Sequence, residues 1–299
     1  MFGRRLQIAG VVVAVATLAA AGALILTLSG HPGKSAQPGG HRAGPGARSA
    51  AAVVRDQAAA WVAGQVSRTA VVSCDPVMCG ALAAHGVPAS DLDRIEPDTT
   101  TPLASVVVVA TATVRAQFGN LLSSVYAPGV IARFGSGALA IEIRQIAPRG
   151  AAAYRSAMHA DLMNRKASGA GLLLSSRIAA SGRAHRQLAA GQVDSRLIIA
   201  IAGMAAVRPI DIVAFGSFAP GASPDMPLRF AEVTQLSRTQ PAATRSASPA
   251  FLRSMIGFLR SQPVHLGPAQ TQTVRLAGGL TVLRVQFAAP SPLGLFSPH

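Results

Sequence analysis

Ser105–Thr113 reads SVVVVATAT. Four consecutive valines leave neither face of an extended chain for water, so this run is expected as a strand buried on both sides of a parallel sheet. Working upstream, Ala70–Ser73 (AVVS) is a second short apolar run of the same kind, and Cys74-Asp75-Pro76 follows it as a helix start. An aspartate at the N-cap accepts from the unpaired first N–H groups, and proline suits the first helical position. That helix should run to about His85 and stop at Gly86. Before both lies RDQAAAWVAGQV (Arg55–Val66), which sets Ala58, Trp61, Val62 and Gln65 near one helical face. Downstream come a short helix over Ala116–Val125 and two strands, Val130–Phe134 and Leu139–Ile146, joined by Gly135-Ser136-Gly137. The order α-β-α-β-α-β-β predicts a three-layer α/β unit with a hairpin at its edge.

The next segment continues the pattern. Gly150–Lys166 carries Tyr154, Met158 and Leu162 at helical spacing, Ala184–Ala190 is a short helix, and Val193–Val207 is an apolar helix capped by Asp194 and ended by Pro209. Strands follow at Ile210–Phe215 and Leu228–Leu236, separated by the loop GSFAPGASPDMP. The fold class expected is therefore α/β, with a Rossmann-like three-layer sheet over 54–236, as one unit or as 54–148 plus 149–236. Residues 237–249 read as a linker. Residues 250–299 hold a helix, Phe251–Arg260, and a hairpin, Thr273–Phe287, turning at Gly278-Gly279. They are expected to form a small C-terminal helix-hairpin appendage.

The amino terminus is of another kind. Ile8–Leu28 is 21 residues without charge, and about 20 helical residues cross a hydrocarbon core. Arg4 and Arg5 precede it, which favours a cytoplasmic N-terminus over residues 1–7 and a signal anchor over 8–28. A cleaved signal peptide is the alternative, but the apolar stretch is longer than such peptides need. Residues 29–53, rich in Gly, Pro and Ala, read as a disordered tether. The expected location is the cell membrane, single-pass, with the main domain outside.

Composition narrows the function classes. The 299 residues carry 27 Lys and Arg against 12 Asp and Glu, a net charge of +15, and only Lys34 and Lys166 are lysines. Beyond Arg4-Arg5 the arginines are scattered singly, and aromatics make up 4%, which argues against nucleic acid as a partner. A diffuse positive field outside a cell suits an anionic envelope polymer or lipid headgroups. Half the chain is hydrophobic, so general disorder is excluded, and two cysteines exclude a disulfide-dense scaffold.

Few residues carry a site motif. Cys74 and Cys79 are spaced C-x4-C; a structural disulfide pinning the strand-to-helix turn is the first reading, with buried free thiols and a redox pair as the others. Asp91, Asp93, Glu96 and Asp98 form one acidic cluster, read as a solvated loop because its spacing does not fit an EF-hand. Gly135–Ala140 matches GxGxxA, but a strand-like segment follows it, so it reads as a hairpin turn and no cofactor is expected. His159 and Asp161 do not share a helix face. Ser217 follows a strand as a nucleophile would, without the flanking glycine pattern of an elbow. A glycan-active enzyme would need two carboxylates near the sheet's C-terminal edge, and Asp75 and Asp98 are the candidates.

Trp61, AVVSCDP, Leu82, Gly86, SVVVVATATVR and VIARFGSGALAIEIRQI together resemble the extracytoplasmic C-terminal α/β domain of actinobacterial polytopic glycosyltransferases, the enzymes similar to protein mannosyltransferases. The resemblance covers about Arg55–Pro148. It implies a fold, an outward location and a link to envelope polysaccharide or glycoprotein metabolism. Those families place their catalytic carboxylates in a multi-span membrane part that has no counterpart here, so no catalytic residue carries over. Pro227–Val233 (PLRFAEV) also resembles a stretch of the OmpA-like peptidoglycan-binding module, with Arg229 in place of the arginine that opens a helix there. The aspartate that partners it is replaced by Gly216-Ser217. The function expected is thus a membrane-anchored, non-catalytic binding or accessory protein of the cell envelope, or a partner of a polytopic glycosyltransferase. The alternatives are a glycan-active enzyme and a peptidoglycan-binding module.

Overall fold

The computed structural model describes residues 49–216, 220–237 and 246–296. The anchor expected over 8–28, most of the tether and Ser217 lie outside them. Among the described residues no helix is long and apolar enough to cross a membrane.

The first five-stranded sheet contains β1 (Val72–Cys74), β2 (Leu92–Arg94), β3 (Val107–Ala110), β4 (Gly129–Phe134) and β5 (Ile141–Gln145), in the order β2-β1-β3-β5-β4. β1 runs parallel to β2 and β3, while β5 is antiparallel to both β3 and β4. The valine run behaves as its chemistry requires. Val107 and Val109 enter one apolar cluster with Trp61, Val62, Met78 and Leu82 from α1 (Ala50–Gln65) and α2 (Pro76–Ala84). Val108 and Ala110 enter another with Val114 and Phe118 of α3 (Ala112–Phe118) and with Leu122 of a π turn, Leu122–Tyr126. Three layers are thus present here.

The expectation of one sheet for 54–236 is corrected, because residues 149 onward build a second. It contains β6 (Ile178–Ala180), β7 (Ile210–Gly216), β8 (Phe230–Gln235), β9 (Gln270–Arg275) and β10 (Thr281–Gln286), in the order β6-β7-β8-β10-β9. The C-terminal hairpin is no appendage. β10 pairs with β8 from Leu283↔Val233 to Gln286↔Phe230. Leu283, Val285 and Phe287 share one core with Ile210 and Ile212 and with α5 (Gly182–Ala189), α6 (Ser195–Val207) and α7 (Pro249–Arg260). An isolated hairpin is marginal in water, so its apolar row needs a partner sheet.

Other boundaries moved for local reasons. α3 begins four residues earlier than expected, because Thr111 ends β3 and caps the helix by accepting from Val114 N. α4 (Gly150–Leu173) runs past Lys166 through two glycines. At Gly169 a Cβ would lie 2.3 Å from the Leu188 carbonyl oxygen, so the glycine permits close helix packing rather than ending the helix.

The two sheets meet along a seam. Residues 221–223 pair with the outer edge of β4: Arg133 N donates to Gly221 O (2.8 Å) and Ser223 N to Ile131 O (3.0 Å). Gly221 has φ +91°, and a Cβ there would lie 2.5 Å from the Phe134 ring. After β10 the chain pairs with the end of α1, with Ala289 N donating to Gln65 O (2.6 Å) and Ser67 N to Ala289 O (2.9 Å).

Candidate functional site

β1 leads through α2 to β2 on one side of the first sheet, and β3 leads through α3 toward β4 on the other. Between the carboxyl ends of β1 and β3 the strand order reverses, which is where open α/β sheets form a ligand crevice. A hollow of about 190 Å³ lies there, and its lining includes Arg55, Asp75, Val77, Thr111, Thr113 and Leu139.

Each wall has a local cause. Asp75 ends β1 and caps α2, its Oδ1 accepting from Val77 N and Met78 N (both 3.0 Å). Its Oδ2 accepts from the Thr111 hydroxyl, so the two helix caps are bonded to each other across the crevice. Cys74 and Cys79 form a disulfide on the same turn, with S–S 2.02 Å and Cα–Cα 5.4 Å. The roof is the β4–β5 connection, Gly135–Ala140. Arg115 holds it by donating from one terminal nitrogen to Ala110 O (2.7 Å) and Ala140 O (2.5 Å). Gly135, at φ +65°, lets this loop pass α1, since a Cβ would lie 3.0 Å from both Val54 methyls. The GxGxxA stretch sits between two strands, so the geometry of a dinucleotide fingerprint is absent.

Three larger hollows are less convergent. One of about 520 Å³ lies along Ala153, Ala157 and Ala160 of α4, and its Tyr154 hydroxyl donates to Gln145 Oε1 (3.3 Å). Burial pushes the Tyr154 hydroxyl pKa up, against the opposing charge of Arg144. Another, of about 370 Å³, lies beside His159 and Arg165, and a third, of about 320 Å³, beside His85 and Asp91. None lies at the carboxyl ends of parallel strands.

The other sequence candidates are dispersed. Asp98 sits in an exposed turn beyond β2 and is not in the crevice lining. Asp93 accepts from Ser73 Oγ (2.6 Å), which lies 2.7 Å from Ser105 Oγ, so one member of the acidic cluster is tied to the sheet. Among the described residues no cluster of three or more His, Cys, Asp or Glu could hold a metal. Arg229 immediately precedes β8, in the strand segment expected over Leu228–Leu236 and not at a helix start as in the module that it resembles.

Sequence reading missed the buried charge pairs. Asp161 and Arg165 pair at i,i+4 (2.7 Å), and Asp161 also accepts from Ser195 Oγ (3.0 Å), joining α4 to α6. Asp194 caps α6, pairs with Arg196 (2.9 Å) and accepts from Ser291 Oγ (2.5 Å). Burial alone would raise its carboxyl pKa, but Arg196 and these hydrogen bonds outweigh it and hold the carboxyl below the usual range. Glu142, between Arg144 and Arg133 (both 2.5 Å), is held low against burial in the same way. The i,i+4 spacing of Asp161 and Arg165 was the one visible signal. Comparison with family models, curated proteins and solved structures finds no match.

Proposed function

We propose that this chain is a membrane-anchored, extracytoplasmic binding or accessory protein of the cell envelope that carries out no reaction of its own. The observation that carries this reading is the Cys74-Asp75-Pro76 turn. Its disulfide suits an oxidising compartment. Its carboxylate has both oxygens committed to helix capping and to Thr111, which suits a wall rather than an acid or base. The crevice offers Arg55, Thr111 and Thr113 beside Val77 and Leu139, a mixed surface suited to a small polar group with an apolar attachment. A glycan-active site would need a second carboxylate beside Asp75, and the lining supplies none. The apolar segment 8–28 supports the anchor, and the net charge of +15 supports anionic polymers or lipid headgroups as partners. The likeness to the domain of polytopic glycosyltransferases supports such an enzyme as an assembly partner.

The test is alkylation of the full chain from isolated membranes, unfolded before and after reduction, with mass spectrometry of the cysteine and N-terminal peptides. The reading expects Cys74 and Cys79 to label only after reduction, on a chain that retains residues 8–28. Labelling before reduction, or recovery in the soluble fraction, would contradict it.

A further inference from the structure

The second half keeps its acids inside. From residue 149 on, Asp161, Asp194, Asp211 and Glu232 are buried, and Asp225 is the only exposed Asp or Glu. Asp161, Asp194 and Glu232 each hold an arginine, Arg165, Arg196 and Arg284 in turn. The surface is left with cations. Along α4 and α5, Arg155, Lys166, Arg183 and Arg186 are exposed. None of the four lies within ion-pair distance of a carboxylate among the described residues. The first half differs, because Asp56, Glu96 and Asp98 stand exposed among its arginines.

These cations lie on neighbouring helices. A Cβ at Gly169 would meet the Leu188 carbonyl oxygen, and one at Gly191 would lie 2.8 Å from Lys166 Cγ, so α5 runs back along α4. At 100° per residue, Arg155, His159 and Lys166 fall within about 40° of one another on α4. Met163, 51% exposed, and Leu174, 88% exposed, follow on the same side. α5 sends Ala184 and Leu188 into the core and leaves Arg183 and Arg186 outside. Asp225 borders the His159 end, where both line one hollow. A soluble polyanion would need the cations alone. Apolar side chains projecting among cations fit the boundary between headgroups and acyl chains, where basic amphipathic surfaces lie in the plane of a bilayer.

We propose that the α4–α5 surface docks on an anionic lipid bilayer. Arg155, Lys166, Arg183 and Arg186 meet the headgroup phosphates, and Met163 and Leu174 enter the headgroup layer. The proposal rests on the anionic partners of the reading above and selects lipid over polymer. It does not need residues 8–28 to cross the bilayer.

Lys166 and Lys34 are the only lysines, so amine acetylation read by mass spectrometry follows the face at one residue, with Lys34 as internal reference. Leu174→Cys carrying an environment-sensitive dye follows insertion, since the native cysteines are bonded and do not label. The full chain is mixed with nanodiscs of phosphatidylcholine, with nanodiscs that also contain phosphatidylglycerol, or with soluble polyphosphate. The phosphatidylglycerol discs should protect Lys166 and shift the dye emission to the blue, and high salt should weaken both effects. Phosphatidylcholine discs should do neither. Arg183→Gln with Arg186→Gln should lower the ratio of docked to undocked chain by roughly twenty-five-fold, about fivefold for each cation near an anionic surface. Failure of the anchor shows separately, as elution of the chain apart from phosphatidylcholine discs. Protection of Lys166 by polyphosphate but not by phosphatidylglycerol discs would give the face to a soluble polymer and overturn the proposal. No protection, equal protection by phosphatidylcholine discs, protection without a dye shift, or unchanged docking of the folded double variant would overturn it as well.

Discussion

The two halves of the molecule are held by different physics. In the first, β3 sends Val107 and Val109 to one side and Val108 and Ala110 to the other, and a disulfide fastens the neighbouring turn. In the second, the apolar helices cover one face of the sheet, while Glu232 and Thr234 lie buried on the other. Carboxylate–guanidinium pairs sit at its joints: Asp161 with Arg165 within α4, where Asp161 also holds Ser195 of α6, Asp194 with Arg196 at the start of α6, where Asp194 also holds Ser291, and Glu232 with Arg284 across β8 and β10. The difference teaches that a chain with few acids can still use them structurally. The first half should respond mainly to redox state and the second mainly to charge.

The largest expected effect lies in the second half. Asp194→Ala removes a helix cap and the buried carboxylate that holds the half-buried Arg196 and Ser291, so it should destabilise by about 3–5 kcal/mol in denaturant unfolding. Asp161→Ala should behave alike, since Arg165 is 4% exposed. Next comes the disulfide. Its cysteines are five residues apart, and closing so short a loop is worth about 2 kcal/mol in the chain-entropy view. Cys74→Ala with Cys79→Ala should therefore cost about that much, and the loss should be the same with or without reductant.

Acid reaches both halves, since Asp194 caps α6 in the second and Glu142 lies in β5 of the first. Asp194 and Glu142 both titrate below the ordinary carboxylate range when folded. Their contribution is complete above the unfolded values, near pH 4, and is lost as pH falls through the depressed folded values. The chain should weaken below about pH 4, and Asp194→Asn should make the remaining loss shallower when unfolding free energy is followed against pH. The smallest effect is Thr111→Val, which removes the α3 cap and the bond to Asp75 and should cost about 1 kcal/mol by the same unfolding measurement.

Where local chemistry decides structure, the sequence could be read. The valine run, the Asp75-Pro76 start, the Asp194 cap and the Gly278-Gly279 turn all act within a few residues of themselves. What could not be read depends on partners distant in the chain. Nothing near Thr273–Phe287 tells that β10 will join β8, some fifty residues earlier. Gly169 looks like a breaker until Leu188 packs on it. Asp75 was legible as a cap, whereas Thr111, which takes its other oxygen, lies thirty-six residues away. Arg229 stood out only through a resemblance that places it on a helix. Its real distinction is burial without a counter-charge, which only the fold creates.

The most direct test of the contrast is native-state hydrogen exchange on the full chain, with and without reductant, resolved by peptide. Reduction should speed exchange in Val72–Ala84 and in the strands beside it, and leave α6 and β8 at their original protection. Equal loss of protection in both halves, or none in the β1–α2 turn, would contradict the claim that the disulfide serves one half and the buried ion pairs the other.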